Sequence, residues 1–247
     1  MLKIWTLSLF LLQTLFAENI TIAVAANLSY AIEEIKAEFV KDNPAFKLQI
    51  VMGSSGKLTA QIRNGAPYGV FMSANMKYPL ALYKDKLLVS EPRVYAKGEI
   101  AYMSVTPRDF TKGIGLLENE NIRRIAIANP KTAPYGNAAE EAIKNAGVYK
   151  NIKPKLIFAE SISQTVSYVL TAADLGIVAK SALFSSKMKQ YKEDIHWKSV
   201  DPRLYTPIKQ GIALLKYSEH SEGYKLFYDF IFSAKASAIL RSYGYAI

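Results

Sequence analysis

The chain has 247 residues, of which 31 are Lys or Arg and 21 are Asp or Glu, for a formal net charge of +10 at pH 7. It contains no Cys, which excludes a disulfide framework and thiolate metal sites, and at this length a core can be buried without such staples. The basic residues are mixed with acids along the chain, and their densest cluster, KMKQYK at 187–192, reads as a solvated face rather than a nucleic-acid patch.

The chain opens with MLKIWTLSLFLLQTLFA, one Lys followed by a mostly apolar run and a small residue. That is the pattern of a secretory signal peptide over 1–17. The run is short for a membrane span of roughly 20 residues, although an uncleaved anchor helix is the alternative. No Cys follows to take a lipid. Export makes nucleic acid an improbable partner, and the basic balance suits a surface that attracts small anions.

Next comes NITIAVAA at 19–26, a short β-branched run that predicts a buried strand. Leu28, Ala31, Ile32, Ile35 and Phe39 then recur at helical spacing up to a break at Asn43 and Pro44. KLQIVM at 47–52 predicts a second strand, and Leu58 and Ile62 a second helix ending near 64–65. VFMS at 70–73 is a third strand, followed by a helix through 78–84. This order predicts an α/β fold with a mainly parallel sheet.

The pattern then restarts. One strand is expected over 96–105 and another over 124–129, leading through the turn KTAPYG at 131–136 to a helix at 138–143. A strand at 155–159 precedes a helix containing Ile162, Val166, Val169 and Leu170, and strands follow at 175–179 and 208–215. An amphipathic helix from Tyr224 closes the chain. The division expected is two lobes joined by crossing strands, 18–97 with 210–247 and 98–209.

The turn GSSGKL at 53–58 invites three chemistries. A phosphate loop needs Gly where Val51 stands and Ser or Thr where Leu58 stands. A nucleophile elbow needs Gly where Lys57 stands. The two histidines, His196 and His220, lie in no recognisable motif, so no catalytic base is evident and no enzyme is expected. No metal-ligand spacing is present either, and no cofactor is expected. Glu160 reads as structural, since an uncompensated carboxylate would repel an anion.

An anion clamp remains. Four strand-to-helix junctions carry small or polar turns, around Asn27, Ser55, Tyr135 and Ile162. Each offers free backbone N–H groups and a partial positive charge, at the carboxyl ends of strands where α/β sheets bind ligands. Asn27, Ser55 and Ser161 would also serve as ordinary helix caps. Four such junctions, two in each inferred lobe, favour the anion site.

The ordered set VAANL at 24–28, GSSGKL at 53–58, NGAP at 64–67, FMSA at 71–74, ANPKTAPYG at 128–136, SISQ at 161–164, GIV at 176–178 and RSYGYAI at 241–247 resembles the periplasmic molybdate-binding proteins of ABC importers, the ModA family. The resemblance spans essentially the whole chain after the leader. It implies a two-lobed binding-protein fold of the type II kind that closes over molybdate or tungstate; the alternatives are another tetrahedral oxyanion such as sulfate, or an exported enzyme or sensor domain on the same fold. It also implies a periplasmic location, a membrane permease as partner and action as a monomer. By position it assigns ligand contacts to Asn27 and Ser55 on the first lobe and to Tyr135 and Ile162 on the second, the latter two mainly through backbone N–H groups. Lys57 need not touch the ligand. The chain departs from the family's commonest pattern at Asn27, where Ser is frequent, and at Ala179, where a Tyr donor is frequent. The Asn27 side-chain amide is the expected compensating donor, and the Tyr135 hydroxyl is expected to be dispensable.

Overall fold

The computed structural model describes residues 17–247; apart from Ala17, the expected leader lies outside the described residues. The first α/β unit comprises β1 (Glu18–Ala25), α1 (Ile32–Asp42), β2 (Phe46–Gly53), α2 (Ser55–Arg63), β3 (Val70–Ser73), α3 (Lys77–Lys84) and β4 (Arg93–Gly98). The second comprises β5 (Ile100–Met103), β6 (Ile125–Ala128), α4 (Pro134–Asn145), α5 (Tyr149–Ile152), β7 (Leu156–Ala159), α6 (Ile162–Thr171), β8 (Leu175–Ala179), α7 (Lys180–Leu183) and β9 (Trp197–Ser199). The chain then returns through β10 (Ile208–Leu214) and ends in α8 (Glu222–Phe230) and α9 (Ala234–Ser242).

Two five-stranded sheets result, in the orders β2-β1-β3-β10-β4 and β7-β6-β8-β5-β9. Each is mixed rather than mainly parallel. In the first, β1 runs parallel to β2 and β3, while β10 is antiparallel to β3 and β4. In the second, β6 is parallel to β7 and β8, while β5 is antiparallel to β8 and β9. The antiparallel members are the strands that carry the chain between lobes, so they enter each sheet from the opposite direction. The single strand expected over 96–105 is two strands in different sheets, divided at Glu99. β4 has Arg93, Val94 and Lys97 exposed while β5 is wholly buried, but only Glu99 separates them, so the two read as one extended run.

Burial follows chemistry. The second half of β1, Ile22 to Ala25, is buried between two neighbours and between helix layers, as its unbroken apolar run requires. In α1 the buried residues are Ile32, Ile35 and Phe39, one stripe at helical spacing. Phe39 meets Phe227 and Phe230 edge-on, with centroids 5.3 and 5.6 Å away, so α8 covers the same face. Burying each such side chain contributes roughly 1.5–3 kcal/mol. The helix expected from Leu28 starts four residues later, because Ala26–Leu28 forms a 3-10 turn, closed by Ser29 N–H to the Ala26 carbonyl at 3.2 Å. Beyond the helix from Tyr224, expected to be the last, α9 follows; its N-cap Ser233 accepts from Ala236 N–H at 3.2 Å.

The crossing between β4 and β5 explains one glycine. A Cβ on Gly98 would stand 1.9 Å from the Tyr135 hydroxyl and 2.8 Å from Gln210 Nε2. Any side chain there would displace the buried groups that join the lobes.

Candidate functional site

The four junctions singled out in the sequence come together at one small cavity between the lobes. Asn27 and Ser55 line it from the first lobe, with Ala25, Ala26, Ser54 and Ala74; Tyr135 and Ile162 line it from the second, with Ala133 and Pro134. All four candidates are buried, at 3% exposure for Asn27, 0% for Ser55, 1% for Tyr135 and 5% for Ile162. Among the described residues the lining holds no charged side chain. Ala179 is buried but does not line the cavity.

Local geometry supplies donors. Ser55 begins α2, Ile162 begins α6, and Tyr135 follows Pro134 at the start of α4. First-turn amides have no intrahelical acceptor and carry the positive end of the helix dipole. At three of the four junctions no side chain caps the turn: neither Ala25 nor Ser54 nor Ala133 does so. Only Ser161 acts as an ordinary cap, accepting from Gln164 N–H at 3.3 Å. Asn27 and Ser55 therefore are not the helix caps that the sequence alone allowed.

The Ser55 hydroxyl accepts from Ala74 N–H at 3.0 Å. With a lone pair engaged, its own proton is left to donate. Ala74 thus orients Ser55, a role invisible in the sequence because 19 residues separate them. Ser54 was also passed over. Its Oγ is buried with no partner in the protein, an additional hydroxyl on the cavity wall.

Behind the cavity lies a buried polar network. Asn27 Nδ2 donates to Gln210 Oε1 at 2.7 Å and to the Tyr245 hydroxyl at 3.0 Å. Tyr95 donates to Gln210 Oε1 at 2.8 Å, and Gln210 Nε2 donates to the Tyr135 hydroxyl at 3.1 Å. The Tyr245 hydroxyl lies 2.9 Å from the Asn27 carbonyl and 3.0 Å from Ser181 Oγ. Burial pushes the phenols of Tyr95 and Tyr135 well above the usual tyrosine range, with the neighbouring phenols adding to the shift. Burial raises Tyr245 as well, against hydrogen bonds that lower it. All three are neutral at pH 7.

Two of the candidate side chains are engaged in this network. The Asn27 amide N–H groups point to Gln210 and Tyr245, because a buried glutamine carbonyl in β10 requires donors. The Tyr135 hydroxyl is not idle, since it accepts the Gln210 amide. The signal for Gln210 was an uncharged polar side chain, next to Lys209, inside the otherwise apolar run IKQGIALL at 208–215.

The charged groups sit outside. Lys57 and Glu160 form an ion pair across the cleft at 2.5 Å, with 51% and 60% of their side chains exposed. Glu160 is thereby neutralised away from the cavity. His220 is exposed and His196 partly so.

Over residues 20–246 the chain matches the family described as bacterial extracellular solute-binding protein. It is 32% identical over 233 residues to the molybdate-binding protein ModA of Azotobacter vinelandii, covering 94% of this chain and 91% of that one. With the molybdate-binding protein ModA of Rhodobacter capsulatus it shares 34% identity over 231 residues, 93% of this chain and 88% of the other. Its fold superposes on the periplasmic molybdate-binding protein of Azotobacter vinelandii with a TM-score of 0.85 at 29% identity, covering 92% of this chain and 99% of that chain.

Proposed function

The chain belongs to the bacterial extracellular solute-binding protein family, and from that premise we propose that it captures molybdate or tungstate outside the cytoplasm and delivers it to the membrane permease of an ABC importer. The observation that carries this reading is the buried, uncharged cavity at which three uncapped helix or turn starts converge from two lobes. The molybdate-binding relatives, aligned along nearly the whole chain, support the same ligand.

The chemistry follows from the donor set. Hydrogen bonds to a charged group contribute roughly 1.5–3 kcal/mol each, so about six or seven offset dehydration of a dianion and closure of the lobes. Backbone N–H groups of Ser55, Tyr135 and Ile162, the turn at Asn27, and the hydroxyls of Ser54 and Ser55 make up that set. Amides and oriented hydroxyls favour a fully deprotonated tetrahedral anion. Phosphate, partly protonated near neutral pH, is disfavoured by donors that leave its proton without an acceptor. Sulfate, with shorter bonds, is held too loosely in a cavity set for metal–oxygen bonds.

The lobes, 18–97 with 210–247 and 98–209, close about the strands that cross between them. The protein works by binding and release rather than turnover, as a monomer, after export directed by residues 1–17. Isothermal calorimetry against molybdate, tungstate, sulfate and phosphate tests the reading. A 1:1 heat signal with molybdate or tungstate is expected. A signal confined to sulfate or phosphate overturns it.

A further inference from the structure

The two turns that face the cavity from opposite lobes also touch each other. Gly56 N–H donates to the Thr132 carbonyl at 2.9 Å, and the Tyr78 hydroxyl, from α3, donates to the Lys131 carbonyl at 3.3 Å. Consecutive amides of α2 therefore divide their work: Ser55 lies on the cavity, and Gly56 binds the opposite lobe. A Cβ on Gly56 would stand 3.0 Å from both Cα and the carbonyl oxygen of Thr132, and 2.9 Å from the Tyr78 hydroxyl.

Gly56 is not among the glycines with positive φ. Its own backbone suits any residue, and it sits in the first turn of α2, where nothing in the helix itself calls for glycine over alanine. What the position requires is space for the other lobe. We propose that Gly56 is a closure residue: it positions the lobes without touching the ligand, because its missing side chain lets the Lys131–Thr132 segment dock on the start of α2 and hold the cavity shut. The inference rests on the anion-capture reading and deepens it, since ligand and lobe contact share one helix start.

Within this seam the backbone contact outweighs the ion pair. Lys57 and Glu160 are each more than half exposed, and such pairs are screened and contribute little. The Gly56–Thr132 contact forms only when the lobes meet, since its two sides belong to different sheets. With the lobes apart, water satisfies both groups. Two opposite outcomes follow for Gly56→Ala. If Gly56 were an ordinary helical glycine, alanine would strengthen α2 and leave affinity unchanged. As a closure residue, it leaves the separate lobes intact and penalises only the closed form.

The chain has no native Cys, so spin labels at Lys84→Cys and Lys150→Cys, exposed positions on α3 and α5, report the lobe separation. The experiment compares this labelled protein with and without Gly56→Ala by pulsed electron resonance, and pairs it with calorimetry and unliganded melting of the unlabelled proteins. Molybdate is the probe. Expected for Gly56→Ala are a molybdate affinity about tenfold lower or worse, equivalent to ~1.4 kcal/mol, a smaller short-distance population, and an unliganded melting temperature held or raised. Tyr78→Phe, which removes only the flanking hydroxyl contact, should show a smaller loss in the same direction. Unchanged affinity together with an unchanged distance distribution overturns the proposal. So does a lowered unliganded melting temperature that accounts for the affinity loss, with Tyr78→Phe at wild-type affinity. If the parent protein fails to bind molybdate, the capture reading falls. The closure role is then decided by the short-distance population without anion, which must shrink in Gly56→Ala, and its absence from the parent also overturns the proposal.

Discussion

Gln210 Nε2 donates to the Tyr135 hydroxyl at 3.1 Å, tying β10 in one sheet to the first turn of α4 in the other lobe. Tyr135 thus both lines the cavity and holds its hydroxyl in the polar network. Tyr135→Phe removes the acceptor and leaves a buried amide unpaired, a loss of about 1–3 kcal/mol. Urea unfolding of the ligand-free variant should show an unfolding free energy lowered by that amount and a correspondingly lower midpoint, with molybdate affinity reduced as the turn loosens. A midpoint equal to that of the parent protein would show that the hydroxyl is idle.

How much of this was legible in the sequence depended on distance along the chain. The four junction residues are marked by local patterns: small residues after an apolar run and before a helical period. Their convergence needs only the two-lobed topology. The network behind them has no local mark. Asn27 meets Gln210 and Tyr245 across 183 and 218 residues, and no pattern at Asn27 announces either partner. The crossing at Glu99 was hidden for another reason, because a single residue separates β4 from β5 and the two read as one strand. Sheet direction was misjudged by the same route, since strand order along the chain does not say which strand returns from the other lobe.

Ser55 and Lys57 are neighbours with opposite prospects. The Ser55 hydroxyl is fully buried and held by Ala74 N–H, so Ser55→Ala should weaken molybdate binding by roughly 10- to 150-fold, the worth of one hydrogen bond to a charge. Lys57→Ala removes an exposed ion pair with Glu160, and exposed pairs contribute ~0–1 kcal/mol. Calorimetry at low and high salt separates the two. Equal losses that shrink together as salt rises would point to a diffuse cationic site and against a hydroxyl donor.

Asn27→Ala should act on stability as well as affinity. Its Nδ2 supplies a donor to Gln210 Oε1 and to Tyr245, so truncation leaves buried acceptors short of partners and costs about 1–3 kcal/mol of folding free energy. The ligand-free variant should melt earlier than the parent, and its affinity should fall because the 3-10 turn loses its anchor. An affinity loss with unchanged unliganded stability would instead mean that the amide faces the anion and that the network is not its principal role.

Alkaline pH tests the buried phenols together. Burial holds Tyr95 and Tyr135 well above the ordinary tyrosine value, and raises Tyr245. A group whose folded pKa is raised gives stability that is complete below its unfolded pKa, near 10, and is lost as pH climbs from there through the folded value. Each such phenol lowers stability by about 1.4 kcal/mol per pH unit within that window, because the unfolded chain releases a proton the folded one keeps. Urea unfolding from pH 7 to 11 should therefore show no pH dependence from these residues up to about pH 9, and a steep decline beyond about pH 10. Absorbance at alkaline pH gives the independent reading. Phenols in the native protein should ionise late, with a fraction appearing only as the chain unfolds. If Tyr95→Phe and Tyr135→Phe leave both the alkaline decline and that late fraction unchanged, the network is open to water and its phenols titrate normally.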